Sequence, residues 1–316
     1  MTEPSDIQSP APNGESRRAA TVGTFDGLHR GHMLVLDTLR REGAARGLRT
    51  MAVTFAGHPL KTIAPSRAPG LLMDPAEKLR CLRLHADEVM TVDFTPHMAS
   101  MTAGEWLTRL RDDYGVRMLV LGYDNTFGSD GRTMTHGDYV GLASGLGIEA
   151  VLPPQLPGCS SSAARRAVGA GEMEEAAGIL GRPYSITGTV VAGDRLGRAI
   201  GVPTANIDPP SERVLPPYGA YVTRVTMPDG TRRLGLTNIG MRPSVSLPTP
   251  TLRMETFIPD FEGDLYGSRL TLEFLSHLRP ERKFASLDEL RLQIMQDTDN
   301  ARTIYNNNIS HENNQL

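Results

Sequence analysis

Apolar residues in the first half of the chain form short runs that alternate with stretches of helical spacing. The runs predict strands at Arg49–Phe55, 118–121 and 148–152, and the helical spacing predicts helices at 71–84, 102–114 and 138–146. The second of these helices opens with Thr102 and Glu105 in capping-box spacing. Strands that alternate with helices predict a doubly wound parallel sheet, whose ligands bind at the carboxyl ends of the strands.

From about residue 184 the pattern changes to short β-rich runs separated by Gly, Pro, Asp and Asn. The runs are Tyr184–Val191, 221–226, 234–237, 253–258 and 268–274. Regular short strands with turn signals predict a small antiparallel β-barrel. A last helix follows, with Ser286 and Glu289 as a capping box and Leu287, Leu290 and Ile294 on one face. The predicted fold class is therefore α/β plus β.

The chain ends are poor in large apolar side chains, so they cannot bury enough surface to become ordered. We predict a disordered tail over 1–19, an α/β domain over 20–182, a barrel domain over 183–303 and a second tail over 304–316. A chain of 316 residues is long enough for two such domains.

Composition narrows the possible functions. The net charge of −3 at pH 7 does not favour a general nucleic-acid binder, so any anion site must be local. Cys81 and Cys159 lack metal-ligand spacing, which argues against a disulfide framework or a zinc site. The sequence has neither a membrane-spanning apolar stretch nor a signal-peptide pattern. We therefore expect a cytoplasmic protein without membrane or nucleic-acid partners.

The stretch 21–32 joins a predicted strand to a predicted helix. Gly23, Gly27 and Gly31 allow close approach of a ligand, and the helix N-terminus favours an anion. His29 and His32 would then point at a bound phosphate. Taken alone, the glycines favour the simpler interpretation of a tight turn and close helix–strand packing.

The H-x-G-H tetrapeptide resembles the nucleotide-binding motif of the HxGH nucleotidylyltransferases, and T-F-D-G-L-H-R-G-H resembles their flavin-adenylylating branch. Matching segments follow at Thr54-Phe55 with His58-Pro59, at 122–128, and at 160–162 with Arg165. The resemblance implies attack of an FMN phosphate on the α-phosphorus of ATP, with His29, His32 and Arg165 as catalytic residues. The implied binding residues are Gly23, Phe25, Asp26, Gly27, Gly31, His58, Asp124, Phe127, Ser160, Ser161 and Ser162.

Four residues depart from this family pattern, one of them Gly57, which stands where a proline or lysine-like residue is usual. Ala163 and Ala164 stand in the segment where a bulky apolar residue is usual, and Asn125 stands where an aromatic residue or histidine is usual. A small residue at 164 predicts a packing gap behind the phosphate loop. These departures motivate an alternative in which the first domain has lost efficient adenylyl transfer.

The stretch 188–206 carries a second glycine-rich loop. Gly193, Gly197 and Gly201 can let backbone N–H groups face a phosphate, and Pro203 restricts the backbone before Thr204 and Asn206. Alternate residues of a strand present their side chains to one side, and hydroxyl and amide oxygens suit Mg²⁺. Taken alone, P-T-A-N favours a β-turn.

This stretch resembles the signature of riboflavin kinase, and further matching segments lie at 218–221, 237–244, 254–256, 260–267, 278–279 and 283–284. The resemblance implies that Glu255 is the general base for the ribityl hydroxyl and that Thr204 and Asn206 hold the metal. The implied binding residues are Gly193, Gly197, Arg198, Gly201, Pro203, Asn238 and Arg279. For Arg279 a structural salt bridge is the open alternative.

Together the two motif sets resemble the bacterial bifunctional riboflavin kinase/FAD synthetases. The resemblance implies riboflavin, FMN, FAD and ATP as substrates and products, a divalent cation such as Mg²⁺, and a monomer or weak homo-oligomer. Two alternatives remain open. One is a riboflavin kinase whose first domain mainly binds nucleotide or flavin, and the other is a non-catalytic flavin-binding regulator.

Overall fold

The computed structural model describes residues 7–8, 17–123, 125–193, 197, 201–208, 210–242 and 251–313. The chain divides into two compact units, residues 1–161 and 162–316. In the described part of the chain, none of the helices combines the length and the apolar character needed to cross a membrane.

The first unit is built on a six-stranded sheet. Its strands are β1 Ile7–Gln8, β2 Arg18–Val22, β3 Arg49–Phe55, β4 Glu88–Val92, β5 Val116–Val120 and β6 Glu149–Val151, in the order β1-β4-β3-β2-β5-β6. Strands β2 to β6 are parallel, and β1 pairs antiparallel with β4. The strand order reverses between β2 and β5, which is where ligands bind in sheets of this type.

Helices cover both faces of this sheet. They are α1 Arg30–Ala45, α2 Leu60–Ile63, α3 Pro75–Leu82, α4 Pro96–Ser100, α5 Ala103–Tyr114 and α6 His136–Gly145. Ala20 of β2 packs in the cluster that contains Trp106 of α5, whereas Ala19 packs with Leu39 of α1. Because neighbouring residues of one strand bury toward opposite helices, the sheet is doubly wound, as predicted.

The second unit is a closed antiparallel barrel. Its strands are β7 Tyr184–Val191, β8 Thr204–Ile207, β9 Gly219–Thr226, β10 Arg232–Arg242, β11 Thr251–Phe257 and β12 Arg269–Pro280, in the order β10-β11-β8-β7-β12-β9. Helices α7 Ser161–Ala170 and α8 Met173–Leu180 precede the barrel, and α9 Leu287–Asn313 follows it. The buried hydroxyls of Thr223, Thr237 and Thr256 form a chain with O···O distances of 2.9 Å. Fold class and C-terminal helix are confirmed.

The structure differs from the expected order at both chain ends. Residues expected to belong to a tail form β1 and begin β2, where the buried Arg18 is neutralised by Glu88 at 3.0 Å. The Asn-rich end continues α9 to Asn313, because Ile304 and Tyr305 pack against the barrel cluster around Val222. Composition alone does not reveal either the ion pair or this packing surface.

The unit boundary also falls earlier than the predicted domain boundary. Helix α8 packs against β7 and β12, so that both α7 and α8 group with the barrel except for Ser161. The division of function at residue 182 stays a prediction.

Candidate active sites

The loop between β2 and α1 is held in an unusual backbone conformation by apolar burial. Phe25, Gly27 and Leu28 have φ values of 51°, 78° and 40°. Phe25 and Leu28 are each 2% exposed and pack in one cluster with Leu36 and Met73. Positive φ at non-glycine residues persists only where the surroundings stabilise it, and such residues concentrate at functional sites. Phe25, one of the predicted binding residues, thus has its ring in the core.

The two histidines of the H-x-G-H motif stack at the start of α1. His29 is the N-cap, its Nδ1 accepts a hydrogen bond from His32 N at 3.3 Å, and the ring centroids are 3.7 Å apart. Since Nδ1 of His29 is an acceptor, its Nε2 carries the proton and can donate. A Cβ at Gly31 would lie 3.1 Å from the His29 ring, so this glycine leaves room for the stack.

His32 is neutral at pH 7. Burial, with smaller contributions from His29 and Lys78, lowers the pKa of His32 well below 6.5. Its buried Nδ1 has no hydrogen-bond partner among the described residues. A buried polar atom without a partner is costly, and a ligand at the site would remove that cost.

A cavity opens at the carboxyl ends of β2 and β3. Its lining residues are Thr24, Asp26, Ala56, Gly57, His58, Leu71, Met73, Pro75 and Lys78. The Asp26 carboxylate accepts hydrogen bonds from Leu72 N at 3.0 Å and Met73 N at 3.2 Å, and His58 Nδ1 accepts one from Leu60 N at 3.2 Å. The two predicted binding residues Asp26 and His58 therefore lie on one cavity.

Lys78 is a residue of this cavity that no motif indicated. Its Nζ donates hydrogen bonds to the carbonyl oxygens of Thr24 at 3.1 Å and Phe55 at 2.8 Å. Burial lowers the pKa of Lys78 to about 8, partly offset by the Asp26 carboxylate. From the sequence alone, a lysine on an amphipathic helix is expected on the solvent-exposed face of that helix. The apolar residues around Glu77-Lys78 give no reason to expect a buried lysine instead.

The loop after β5 meets the end of β2. The Asn125 side chain donates a hydrogen bond to the Val22 carbonyl at 2.5 Å, so this departure from the family pattern has a structural role. The Phe127 backbone is held on both sides by the Tyr139 hydroxyl, at 3.0 and 2.8 Å. Asp124, predicted to line the flavin side, lies outside the described residues.

The serine segment reaches the same loop. Ser161 Oγ donates a hydrogen bond to the Asp26 carbonyl at 2.9 Å, and Ser160 directly precedes it at the start of α7. Ser162 and Arg165 belong to the second unit, as does Ala164, which is fully buried. The roles of Ser162 and Arg165 in adenylyl transfer stay predictions.

The three loop glycines of the barrel unit are needed for different reasons. A Cβ at Gly193 would collide with the Asn206 side-chain amide, and one at Gly197 would collide with the Val202 carbonyl. Gly201 has a φ of 74°, which favours glycine. Gly193 and Gly197 thus lie close against residues 202–206. Arg198 lies outside the described residues, and Pro203 is exposed directly before β8.

Three predicted site residues lie side by side across neighbouring strands. Glu255 of β11 is paired directly with Asn206 of β8 on one side and with Asn238 of β10 on the other. Directly paired residues of antiparallel strands have their side chains on the same face, about 4.5–5.5 Å apart at Cβ. The pairing therefore brings together the predicted general base, one predicted metal ligand and one predicted binding residue.

Thr204 and Asn206 fit a hard cation by their donor chemistry. They are alternate residues of β8, so their oxygens share a face, and the absence of a side chain at Gly193 makes room for the amide of Asn206. Among the described residues, no group of three His, Cys, Asp or Glu side chains could hold a metal ion. A site here would thus rely on hydroxyl, amide and substrate oxygens.

Arg279 takes the structural alternative that the sequence left open. Its Nε donates to the Asp297 carboxylate of α9 at 2.9 Å, and its guanidinium lies 5.6 Å from the ring centre of Phe284. The ion pair attaches α9 to β12. A contact of Arg279 with ligand stays a prediction.

Family models match both halves of the chain. The model described as FAD synthetase matches residues 12–155, and the model described as riboflavin kinase matches residues 180–305. The fold and these matches define a two-domain flavin nucleotide enzyme, in which an α/β domain with an H-x-G-H loop is joined to a flavokinase barrel.

Individual relatives match nearly the whole length. Bifunctional riboflavin kinase/FMN adenylyltransferases of Pseudomonas fluorescens and Escherichia coli (strain K12) are each 36% identical to this chain, over 90% of it and 92% of their own length. The enzyme of the same name from Bacillus subtilis (strain 168) is 32% identical over 93% of this chain and 94% of its own length. The chain belongs to the family of bifunctional riboflavin kinase/FMN adenylyltransferases, which confirms the resemblance.

One solved structure is similar over almost the full chain. A crystal structure from Streptococcus pneumoniae, described as a macrolide-efflux protein, superposes with a TM-score of 0.82. It shares 29% sequence identity, and the match covers 93% of this chain and 96% of that one.

Proposed function

We propose that this chain performs both reactions for which its family is named. Its barrel unit phosphorylates riboflavin to FMN with ATP, and its α/β unit adenylylates FMN to FAD with ATP and releases pyrophosphate. The observation that carries the first assignment is the direct pairing of Glu255 with Asn206 and Asn238. The second assignment, adenylyl transfer, is supported by the stacked histidines at the point where the strand order of the sheet reverses.

In the kinase reaction Glu255 acts as the general base. It takes the proton of the terminal ribityl hydroxyl as that oxygen attacks the γ-phosphorus of ATP, and ADP leaves. Thr204 and Asn206 would hold Mg²⁺, which when bound neutralises phosphate charge. Asn238 flanks Glu255 and orients the flavin side chain or its hydroxyl.

In the adenylyl transfer no protein nucleophile is needed. A phosphate oxygen of FMN attacks the α-phosphorus of ATP, and the bond to pyrophosphate breaks. His29 donates from Nε2 to a phosphate oxygen, and neutral His32 provides a second polar contact. The hydroxyls of Ser160 and Ser161 and the charge of Arg165 complete the proposed phosphate contacts.

The remaining assignments also belong to this proposal. We place the functional boundary near residue 182 and expect a monomer or weak homo-oligomer without nucleic-acid partners. Cys81 and Cys159, both within the described residues, are not joined in a disulfide, which is compatible with a reducing cytoplasm.

The deciding experiment follows riboflavin, FMN and FAD by chromatography during incubation of the purified, flavin-free chain with riboflavin, ATP and Mg²⁺. We expect FMN to appear first and FAD after a lag. A Glu255→Gln variant should form neither product from riboflavin, yet should still convert added FMN to FAD. Replacement of Glu174, an exposed glutamate of α8, by Gln is the matched control and should leave both reactions unchanged.

Each outcome separates one alternative. Accumulation of FMN without FAD would favour a riboflavin kinase with a degenerate α/β unit, which the departures at Asn125 and Ala164 motivate. No phosphorylation at all would favour a flavin-binding regulator. An unchanged kinase rate in Glu255→Gln would refute the assignment of the base.

A further inference from the structure

Lys78 is fixed at the ends of two neighbouring parallel strands. Its Nζ donates to the carbonyl oxygens of Thr24, at 3.1 Å just after β2, and Phe55, at 2.8 Å at the end of β3. The residue is 8% exposed and lines the cavity together with Asp26 and His58. An ammonium has three N–H donors, and among the described residues these two carbonyls are its hydrogen-bond partners. One donor is therefore left for a molecule in the cavity.

The titratable groups around the ammonium come from three elements. They are the Asp26 carboxylate from the β2–α1 loop, the His58 ring from the β3–α2 loop and the His32 ring from α1. Asp26 is already held by two main-chain N–H groups. His32 is neutral at pH 7 because burial lowers its pKa. A charge in such a poorly solvated place acts strongly on a nearby anion.

We propose that Lys78 is a substrate-binding cation of the adenylylation site, whose third N–H and positive charge contact an anionic phosphate oxygen of FMN or ATP. This inference rests on the proposed function of the α/β unit and deepens it. The rigid attachment to two main-chain carbonyls places the charge before the substrate binds, so that little reorganisation is needed as pyrophosphate charge develops.

The test compares Lys78→Met and Lys78→Arg with the native chain in conversion of FMN to FAD. Arg80→Met is the matched control, since Arg80 is exposed on the same helix α3. Formation of FMN from riboflavin by the other unit of the same molecule reports that each variant is intact. We expect Lys78→Met to lower kcat/KM for adenylylation by on the order of 100-fold, with the kinase rate unchanged. A larger KM for FMN alone would assign the contact to the FMN phosphate, and a larger KM for ATP alone to the triphosphate.

The pH profile separates a binding charge from a merely structural lysine. Burial lowers the pKa of Lys78 from 10.5 to about 8, so kcat/KM of the native chain should fall with its protonated fraction above pH 8. Lys78→Arg keeps a charge that does not titrate and should remove this alkaline decline.

Stability should change in the opposite direction over the same pH range. Between pH 8 and 10.5 the folded state binds fewer protons at Lys78 than the unfolded state does, so this group contributes stability that rises with pH. Thermal unfolding over the same pH range shows whether a loss of activity there reflects unfolding of the α/β unit.

Three results would overturn the inference. The first is an unchanged kcat/KM for both substrates in Lys78→Met, and the second is an alkaline decline that persists in Lys78→Arg. If Lys78→Met fails to fold, the pH profile of kcat/KM for Lys78→Arg decides whether the inference holds. The third overturning result is a native chain that makes FMN but no FAD. The proposed adenylyl transfer itself then fails, and this inference fails with it.

Discussion

Position 193 requires glycine because a neighbouring side chain leaves no room for a Cβ, and not because of its own backbone conformation. A side chain at this position would collide with the buried amide of Asn206, which is paired across the strands with Glu255. Any substitution must therefore move the amide that we propose as a metal ligand, while the residues that form the barrel core stay in place.

We predict that Gly193→Ala lowers FMN formation on the order of 100-fold, because an ångström-scale displacement of a positioning group has this effect. The Mg²⁺ concentration needed for half-maximal FMN formation should rise, and FMN-to-FAD conversion should be unchanged. The matched control is Gly178→Ala on α8, where a Cβ would contact nothing within 4 Å. Initial rates at several Mg²⁺ concentrations test this, and equal rates in the two variants would contradict it.

At the residue scale, a motif predicts function where the residues are close in the chain. The stacked pair His29 and His32 follows from one helix N-terminus, and the spacing of Thr204 and Asn206 follows from one strand. Lys78 could not be predicted in this way. Its position at the site depends on how α3 packs over the ends of β2 and β3, which involves residues more than twenty positions away.

Among the elements, the C-terminal helix differs most from the expectation. Ala301 in its middle is fully buried in a cluster with Val222, Leu236 and Leu275 of the barrel. The helix therefore covers the outer surface of the barrel through a small residue, which lets the helix backbone approach the strands closely. The following Asn-rich segment remains helical although its own composition does not favour a helix.

We predict that Ala301→Leu destabilises the barrel unit by about 1–3 kcal/mol, because a larger side chain cannot enter a well-packed contact without displacing its neighbours. Thr303→Leu adds a similar apolar volume at an exposed position of the same helix and serves as the control. Urea unfolding followed together with kinase activity measures both variants. Equal urea midpoints for the two variants would show that the packing of the helix at Ala301 does not contribute to the stability of the barrel unit.

Periodicity predicted the elements whose two faces differ or whose ends carry a cap. The capping box of Thr102 and Glu105 is present at α5, and β7 has the predicted bounds Tyr184–Val191. At α9, Glu289 N donates to Ser286 Oγ at 3.1 Å, whereas the Glu289 carboxylate accepts from Ala285 N at 3.0 Å. Periodicity could not predict β1, whose two residues are too few to carry a pattern.

At the scale of the whole molecule, two reactions are proposed on one chain, and the first makes the substrate of the second. The proposed groups for the kinase, such as Glu255, lie in residues 162–316, whereas His29 and His32 lie in residues 1–161. Family membership could be predicted because both motif sets occur in order along the sequence. Sequence patterns carry no information on whether FMN leaves the chain between the two steps.

We predict that FMN is released and rebound, so that two defective variants complement each other in a mixture. Glu255→Gln removes the proposed base of the kinase. His29→Asn removes the imidazole while an Asn oxygen can still cap α1. Neither variant alone should make FAD from riboflavin, but an equimolar mixture should, after a lag that shortens as the enzyme concentration rises.

The controls measure the retained reaction of each variant separately, namely FMN to FAD for Glu255→Gln and riboflavin to FMN for His29→Asn. If both retained reactions are intact and the mixture still yields no FAD, FMN does not pass between molecules. Because the units are chemically independent in this proposal, adding free FMN to the mixture should then start FAD formation at once, which locates the failure in FMN release and not in either active site.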